Sequence, residues 1–573
     1  MKQIVRLLLL SQLFWSCAKQ TNPTGGPKDA DPPELLRSRP ENRQTNFNST
    51  QVELIFNEYV QVNNAREQLI IVPTIGKKFE VVARKNKVTL KFNNKLLDNT
   101  TYTINFREAI QDLTEKNPTK NLKIAFSTGT YIDSLSVEGT VQLLLKNQPA
   151  ENFTVAVVPL NDTFNIFNHT AQFFTLTDKK GQFIIENLKP GAYRIYAFQD
   201  KNKNLKVDSR SEPFAFQSDT LRLYQSVKGI QLYAVALDMR PLKILSARPV
   251  GNHFLVRLIK GYINNSFKCA LPNDSISFDY PDYSSIRFYK PTVDFDSISV
   301  HFNITDSINN TLDTLVYIKF NKINLQKERF TIKTRNIIYL DHKQMVNGEL
   351  VLSKPARSIS YDSIYIRLDS VTVLTFKEND FTWDQSFTHA YFTKQLPNAL
   401  DLNTTRPRAS SATPQQRLPG QDARQPRSTP AQTQKPDSKN MLNQLILAKA
   451  AILSAEGDSS TFENIPFTVV RPETTALLLI ELKGTGSTIT QLLDKDYKVI
   501  TASTSKKVRF ENLIPGEYYV RVIVDSNSNE RWDPGNYYLN KEPEKIKFYK
   551  DDTGNSRINL KANWEIGPLL IEY

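Results

Sequence analysis

Residues 181–208 read "GQFIIENLKPGAYRIYAFQDKNKNLKVD" and contain two strand-like runs around a Lys-Pro-Gly corner. A turn at Gly181, a strand, a Leu-x-Pro-Gly turn from Leu188 to Gly191 and a strand with Tyr193 follow one another. Proline presets φ at such a corner and glycine supplies a positive φ, so a β-hairpin is expected. The stretch then recurs. A shift of 325 carries Asn187, Leu188, Pro190, Gly191 and Tyr193 onto Asn512, Leu513, Pro515, Gly516 and Tyr518. The same shift carries Asp200, Asn202, Asn204 and Asp208 onto Asp525, Asn527, Asn529 and Asp533. Ungapped identity at this density marks a duplicated β unit.

Outward from the hairpin, the same two-residue period dominates. Val52, Leu54 and Phe56 in "QVELIFN", Val88, Leu90 and Phe92 in "KVTLKFN", and Tyr102, Ile104 and Phe106 in "TYTINF" alternate with mostly polar neighbours. Short alternating runs separated by Asn, Asp, Gly and Pro indicate antiparallel sheets with one wet face. No sustained helical period is present. A chain of 573 residues exceeds one hydrophobic core, and 32 Phe and 23 Tyr against 4 Met suit several small β domains. The expected fold class is therefore all-β, a series of tandem β-sandwiches.

Three stretches, "DPPELLRSRPENRQTNFNSTQVELIFNEYVQVNN", "LLDNTTYTINFREAIQDLTEKNP" and "IAFSTG", together resemble the SbsA-type bacterial Ig-like domain. The unit containing "TDKKGQFIIENLKPGAYRIYAFQDKNKN" resembles the transthyretin-like, carboxypeptidase-regulatory-like β-sandwich, a module without peptidase chemistry of its own. The Ig-like unit also returns: "INFREAI" (104–110) matches "ILAKAAI" (446–452) at a shift of 342. Upstream, "GELVLSKPARSISYDSIYIRLDS" resembles "QVELIFNEYVQVNNAREQLIIVP". The expected order is a signal peptide (1–16), a tether (17–33), an Ig-like domain (34–130) and a carboxypeptidase-regulatory-like domain (131–235). A sandwich of unplaced type (236–330), a second Ig-like domain (331–475) and a second transthyretin-like domain (476–573) follow. Residues 398–443 are Pro-, Gln-, Ser- and Arg-rich with almost no apolar content, which marks a disordered basic insertion inside the second Ig-like domain. Such an insertion is either neutral or a flexible catcher of anionic glycan or lipid.

The opening "MKQIVRLLLLSQLFWSCAKQ" has Lys2 and Arg6, an apolar run from Leu7 to Trp15, and Ser16 before Cys17. The run is too short to span a bilayer of about 30 Å and reads as an export signal. Its Cys17 resembles the lipobox cysteine of bacterial lipoproteins, which implies cleavage before Cys17 and acylation of it. Cys17, the Gly-Gly-Pro tether and the Ig-like domain, in that order, resemble a family of Gram-negative outer-membrane lipoproteins. That resemblance implies a lipid-anchored envelope protein. The only other cysteine is Cys269, so no disulfide framework is expected. The net charge of +14 is spread diffusely. It suits anionic surfaces, and no nucleic-acid recognition motif accompanies it.

Asp200, Asn202, Asn204 and Asp208, like Asp525, Asn527, Asn529 and Asp533, stand at positions 1, 3, 5 and 9 of a calcium-loop spacing. Leu205 and Glu530 replace the glycine expected at position 6, and no glutamate stands at position 12. Two readings remain open: a weak calcium loop, or an Asx-rich turn whose side chains bond their own backbone. Calcium is the one candidate cofactor. The five histidines are scattered and no nucleophile elbow, P-loop or dinucleotide fingerprint appears. Exposed aromatics could stack glycans, although "FDYPDYSSIRFYK" also fits core strands. The sequence thus points to a non-enzymatic structural or adhesive scaffold on the outer membrane. The alternatives are a glycan-binding protein or an accessory of an envelope transport or assembly complex, and a hydrolase with an unseen carboxylate pair. Expected partners are the membrane, through the anchor, and envelope proteins or glycans.

Overall fold

The computed structural model describes residues 29–397 and 444–573, apart from 77, 162, 209, 211, 263, 270–275, 292–295, 322–325 and 369–371. Cys17, the tether up to residue 28 and the insertion 398–443 lie outside the described residues, and residues 264–269 are described by backbone alone. The chain divides into two compact units, 1–234 without 144–147 and 209–211, and the remainder. Both are tandem β-sandwiches. Among the described residues helix is confined to Ala65–Gln68 and a few 3-10 turns, and none of it is long and apolar enough to cross a membrane.

In the first unit the alternation seen in sequence becomes the inner face of a sheet. Val52, Leu54 and Phe56 are buried in Gln51–Phe56, which pairs antiparallel with Leu35–Arg39 and Lys87–Phe92. Across the layer, Thr101–Asn105 pairs with Ile70–Val72 and Lys123–Ser127, and Val60–Val62 forms a ribbon with Ile110–Asp112. Tyr102, Phe106 and Phe126 fill the space between the layers. Burial of each such ring contributes on the order of 1.5–3 kcal/mol.

The second sandwich pairs Leu135–Leu143 with Gln182–Leu188, and packs this layer on a sheet built around Thr154–Pro159 and Gly191–Phe198. Val227–Ala234 closes it by pairing parallel to Leu135–Leu143. In the second unit the strands Ala476–Lys483, Lys507–Leu513, Ser487–Leu493, Gly516–Asp525 and Glu565–Glu572 repeat this plan, including the parallel closing strand. One backbone-on-backbone approach in each closing pair demands a glycine. A Cβ on Gly139 would lie 2.1 Å from the Ile230 oxygen, and one on Gly567 (φ +118) 2.3 Å from the Leu479 oxygen. The glycine comes from opposite partners of the pair in the two copies.

The expected glycine turn at the Pro-Gly corners is corrected. Gly191 and Gly516 begin extended strands and pair with Leu223 and Leu560. The left-handed residues are Asn187 (φ 60) and Asn512 (φ 58), a conformation asparagine tolerates better than most side chains. Tyr193 and Tyr518 then return to the corner, each donating its hydroxyl to a carbonyl four residues earlier, Lys189 and Ile514.

Between these copies, Ile244–Val250, His253–Leu258, Ser285–Tyr289 and Phe278–Asp282 form one sheet, and Asn264–Cys269, Ile298–Thr305 and Thr311–Ile318 another. Phe254, Phe288 and Phe302 lie between them. A further core draws on both sides of residues 398–443. Leu350 and Phe392 from Met345–Leu352 and His389–Gln395 meet Leu445 and Leu447 from Gln444–Leu447. Here Ala356–Ile359 pairs with Ile452–Ser454, as Val60–Val62 pairs with Ile110–Asp112 in the first sandwich. Lys354 is fully buried where its ammonium meets Glu456 and Asp458, both at 2.5 Å.

Candidate functional site

The two Asp/Asn loops leave the ends of equivalent strands, Gly191–Phe198 and Gly516–Asp525, and adopt one backbone path. Asp200 Oδ1 accepts the Asn204 amide at 3.0 Å and its Oδ2 the Leu205 amide at 2.9 Å. Asp525 does the same with Asn529 at 3.1 Å and Glu530 at 2.8 Å. Asn202 and Asn527 accept the amides two residues on, both at 3.2 Å, and Asn204 and Asn529 accept Lys206 and Arg531, both at 2.8 Å. Asn and Asp side chains readily form such local bonds to their own backbone. Positions 4 and 6 are left-handed in both copies: Lys203 and Leu205 at φ 57, Ser528 at 56 and Glu530 at 59. The turn that calcium loops make with glycine is thus made here by residues with side chains.

Position 9 differs between the copies. Asp533 is buried and receives Asn527 Nδ2 at 2.6 Å and Asn529 Nδ2 at 3.2 Å, with Lys541 at 3.6 Å. Asp208 is exposed. In the second loop the structure therefore brings positions 3, 5 and 9 together, as a hydrogen-bonded cluster. For these side chains to offer a cation their oxygens, the amide groups of Asn527 and Asn529 would have to turn over. Among the described residues, no group of three or more His, Cys, Asp and Glu side chains is placed to hold a metal.

The residue that closes each loop escaped the repeat alignment. Glu212, 1% exposed, accepts the Lys201 amide at 2.9 Å and the Asp208 amide at 2.8 Å. Glu544 accepts the Ser526 amide at 2.7 Å and the Asp533 amide at 2.9 Å. Each carboxylate thereby ties the first turn of its loop to the last. Hydrogen bonds to a charged group contribute about 1.5–3 kcal/mol each. What the two share in sequence is a glutamate shortly before a strand, Glu212 in "SEPFAF" and Glu544 in "KEPEKI". The Glu-Pro step itself marks Glu212 in the first loop but Glu542 in the second, and extra residues displace the second loop's glutamate. Those extra residues carry the exposed Tyr538 and Leu539, while Asn536 Nδ2 reaches the Ile308 carbonyl at 3.2 Å. Trp532 is folded back, its Nε1 donating to the Glu544 carbonyl at 3.3 Å.

Each of these modules also meets the sandwich before it through an equivalent glutamate, although the lysine partners come from different places, a strand in the first and the 3-10 turn Asp341–Lys343 in the second. Glu186 meets Lys123 at 2.9 Å, and its counterpart Glu511 meets Lys343 at 2.9 Å. The Lys343 bond, with Arg509 beside it, holds the Glu511 carboxyl below the usual glutamate range. Half-exposed pairs of this kind contribute little energy, about 0–1 kcal/mol, so they fix orientation more than stability. Of the aromatic stretch "FDYPDYSSIRFYK", Phe288 and Tyr289 are core and Tyr283 is 80% exposed.

Residues 29–128 match the family model described as a bacterial Ig-like domain, and residues 149–209 match one described as polysaccharide lyase family 4, domain II. No curated protein matches the chain. Among solved structures, the major pilin subunit BcpA of Bacillus cereus is 11% identical, over 36% of this chain and 71% of that one, with a TM-score of 0.13. The S-layer protein rSbsC(31-844) is 12% identical, over 63% and 62%, with a TM-score of 0.14. The N-terminal part of the S-layer protein SbsC is 14% identical, over 35% and 44%, also at 0.14.

Replacing Glu544 by Ala should speed hydrogen exchange at the Ser526 and Asp533 amides by tenfold or more, with Val520 and Val522 in the strand behind still protected. Glu212→Ala should do the same at Lys201 and Asp208. Unchanged exchange at these amides would mean that the loops close without their glutamates.

Proposed function

We propose that this chain is an exported lipoprotein, acylated on Cys17 and tethered to the outer membrane, that works as a structural or adhesive scaffold by binding rather than by turnover. The observation that carries the reading is the repetition of a whole module. Two sandwiches share one strand plan with a parallel closing strand and one closed loop, and each sets an equivalent glutamate, Glu186 or Glu511, against a lysine of the sandwich before it. Duplicating a whole module lengthens a chain, which serves a spacer or display element and adds nothing to a reaction centre. The N-terminal charge, short apolar run and Cys17 support the membrane tether, since acylation at one terminus leaves every sandwich outside the bilayer. Two or more acyl chains are needed for stable anchoring. A role within an envelope assembly complex is the alternative, with a protein held at fixed stoichiometry as its mark.

A second reading gives the twin loops a weakly held calcium ion that stiffens them. The left-handed residue at position 6, Leu205 and Glu530, favours it, because that is where a calcium loop turns sharply. With few carboxylates per loop the affinity belongs to the range of extracellular modules, about 10⁻⁴–10⁻³ M.

Cys17→Ser should move the protein from the membrane pellet to the soluble envelope fraction, with its sandwiches still folded by circular dichroism. Retention in the pellet would refute anchoring through this residue. For the loops, melting the chain in 5 mM calcium and in EDTA separates the readings. A rise of several degrees in calcium, lost in Asp525→Ala, assigns the ion, and coincident curves assign the loops to hydrogen bonds alone.

A further inference from the structure

The first unit contains a cleft of about 640 Å³ where the helical turn Ala65–Gln68 of the Ig-like sandwich faces the loop 200–205 of the module that follows it. An ion pair between Glu67 and Lys203, at 2.8 Å, bridges its rim. Its polar lining, from the exposed Arg66 to the half-buried Arg107 and Gln68, is incompletely paired. Arg66 and Arg107 both line it, and neither guanidinium has an ion pair or hydrogen bond with any described residue. Gln68 lines it as well, and its Oε1 is buried and accepts no hydrogen bond. Phe79 and Phe174 supply an apolar wall.

These needs specify a ligand. A guanidinium presents a planar fork of donors that matches a carboxylate, and two of them without counter-ions call for an anionic group. A buried amide oxygen without a donor calls for a hydroxyl. An apolar wall beside them calls for a C–H face. A carboxylate, hydroxyls and an apolar face occur together on one small ring in a sugar acid. The volume lies within the range of about 300–1,000 Å³ typical of small-ligand pockets. We propose that this cleft binds a uronate residue of an acidic glycan, its carboxylate held by Arg66 and Arg107 and a ring hydroxyl donating to Gln68 Oε1. The proposal rests on the binding role given to the chain above, and it places that role on one face of the first pair of sandwiches. Inorganic phosphate would satisfy the guanidiniums and leave the apolar wall unused.

Calorimetric titration of the full chain with a glucuronate-terminated disaccharide, its neutral glucose counterpart and inorganic phosphate tests it. Saturable binding of the acidic disaccharide is expected, with no measurable heat from the neutral one and at least tenfold weaker binding of phosphate. Arg66→Gln, on the exposed turn, and Arg107→Gln should each weaken the acidic disaccharide about tenfold or more while the melting temperature holds. Gln68→Leu should weaken the sugar and leave any phosphate binding unchanged. Absence of binding, equal binding of the neutral sugar or of phosphate, or affinity unchanged in Arg66→Gln would each overturn the proposal. Membrane release of Cys17→Ser is a separate result, so loss of the cleft ligand and loss of the anchor are told apart.

Discussion

Stacked sheets hold only if the apolar face of each is covered, and this chain covers its inner faces by pairing strands distant in sequence. Val227–Ala234 returns to Leu135–Leu143, and Glu565–Glu572 to Ala476–Lys483. Gln444–Leu447 pairs with Ile364–Arg367 across residues 398–443. Closing a long loop costs little more than closing a short one, because the entropy grows only with the logarithm of length. The same argument explains why the two modules tolerate different excursions between their central strand and the next strand of the sheet. What an excursion does need is an end point, and Glu212 and Glu544 supply it by binding the amides at both ends of the loop.

The alternation of Val52, Leu54 and Phe56, or of Val88, Leu90 and Phe92, was legible because a half-buried strand writes its burial directly into a two-residue period. The duplicated hairpin was legible because its identities keep one spacing. Legibility ended where spacing changed. Glu544 lies beyond the extra residues of its loop, so the shift that aligned Asp200 with Asp525 passes Glu212 by. The residues 236–330 carry no motif, yet Phe254, Phe288 and Phe302 build a two-sheet core from the same alternation. The glycine of the Pro-Gly corner was misread because turn preferences are local, whereas the strand pairing that begins at Gly191 is set by Leu223 far along the chain. Arg66 and Gln68 could not be grouped with Arg107 from sequence, since only folding brings the two segments around one cleft.

The twin loops illustrate how little a ligand-like spacing decides alone. Oxygens at positions 1, 3 and 5 can converge on a cation, or each can accept an amide of the turn it sits in. In both copies they accept amides, and the carboxylate that matters most for closure stands outside the motif. Repetition is the stronger clue. A loop, a corner tyrosine and a glutamate kept together in two copies describe a module retained as a unit.

Mass spectrometry of the mature protein released from membranes tests the proposed lipid-anchored scaffold most directly. That reading predicts an N-terminus at Cys17 carrying acyl chains, with residues 1–16 absent. An unmodified thiol at Cys17, or a mature chain beginning elsewhere, would contradict it.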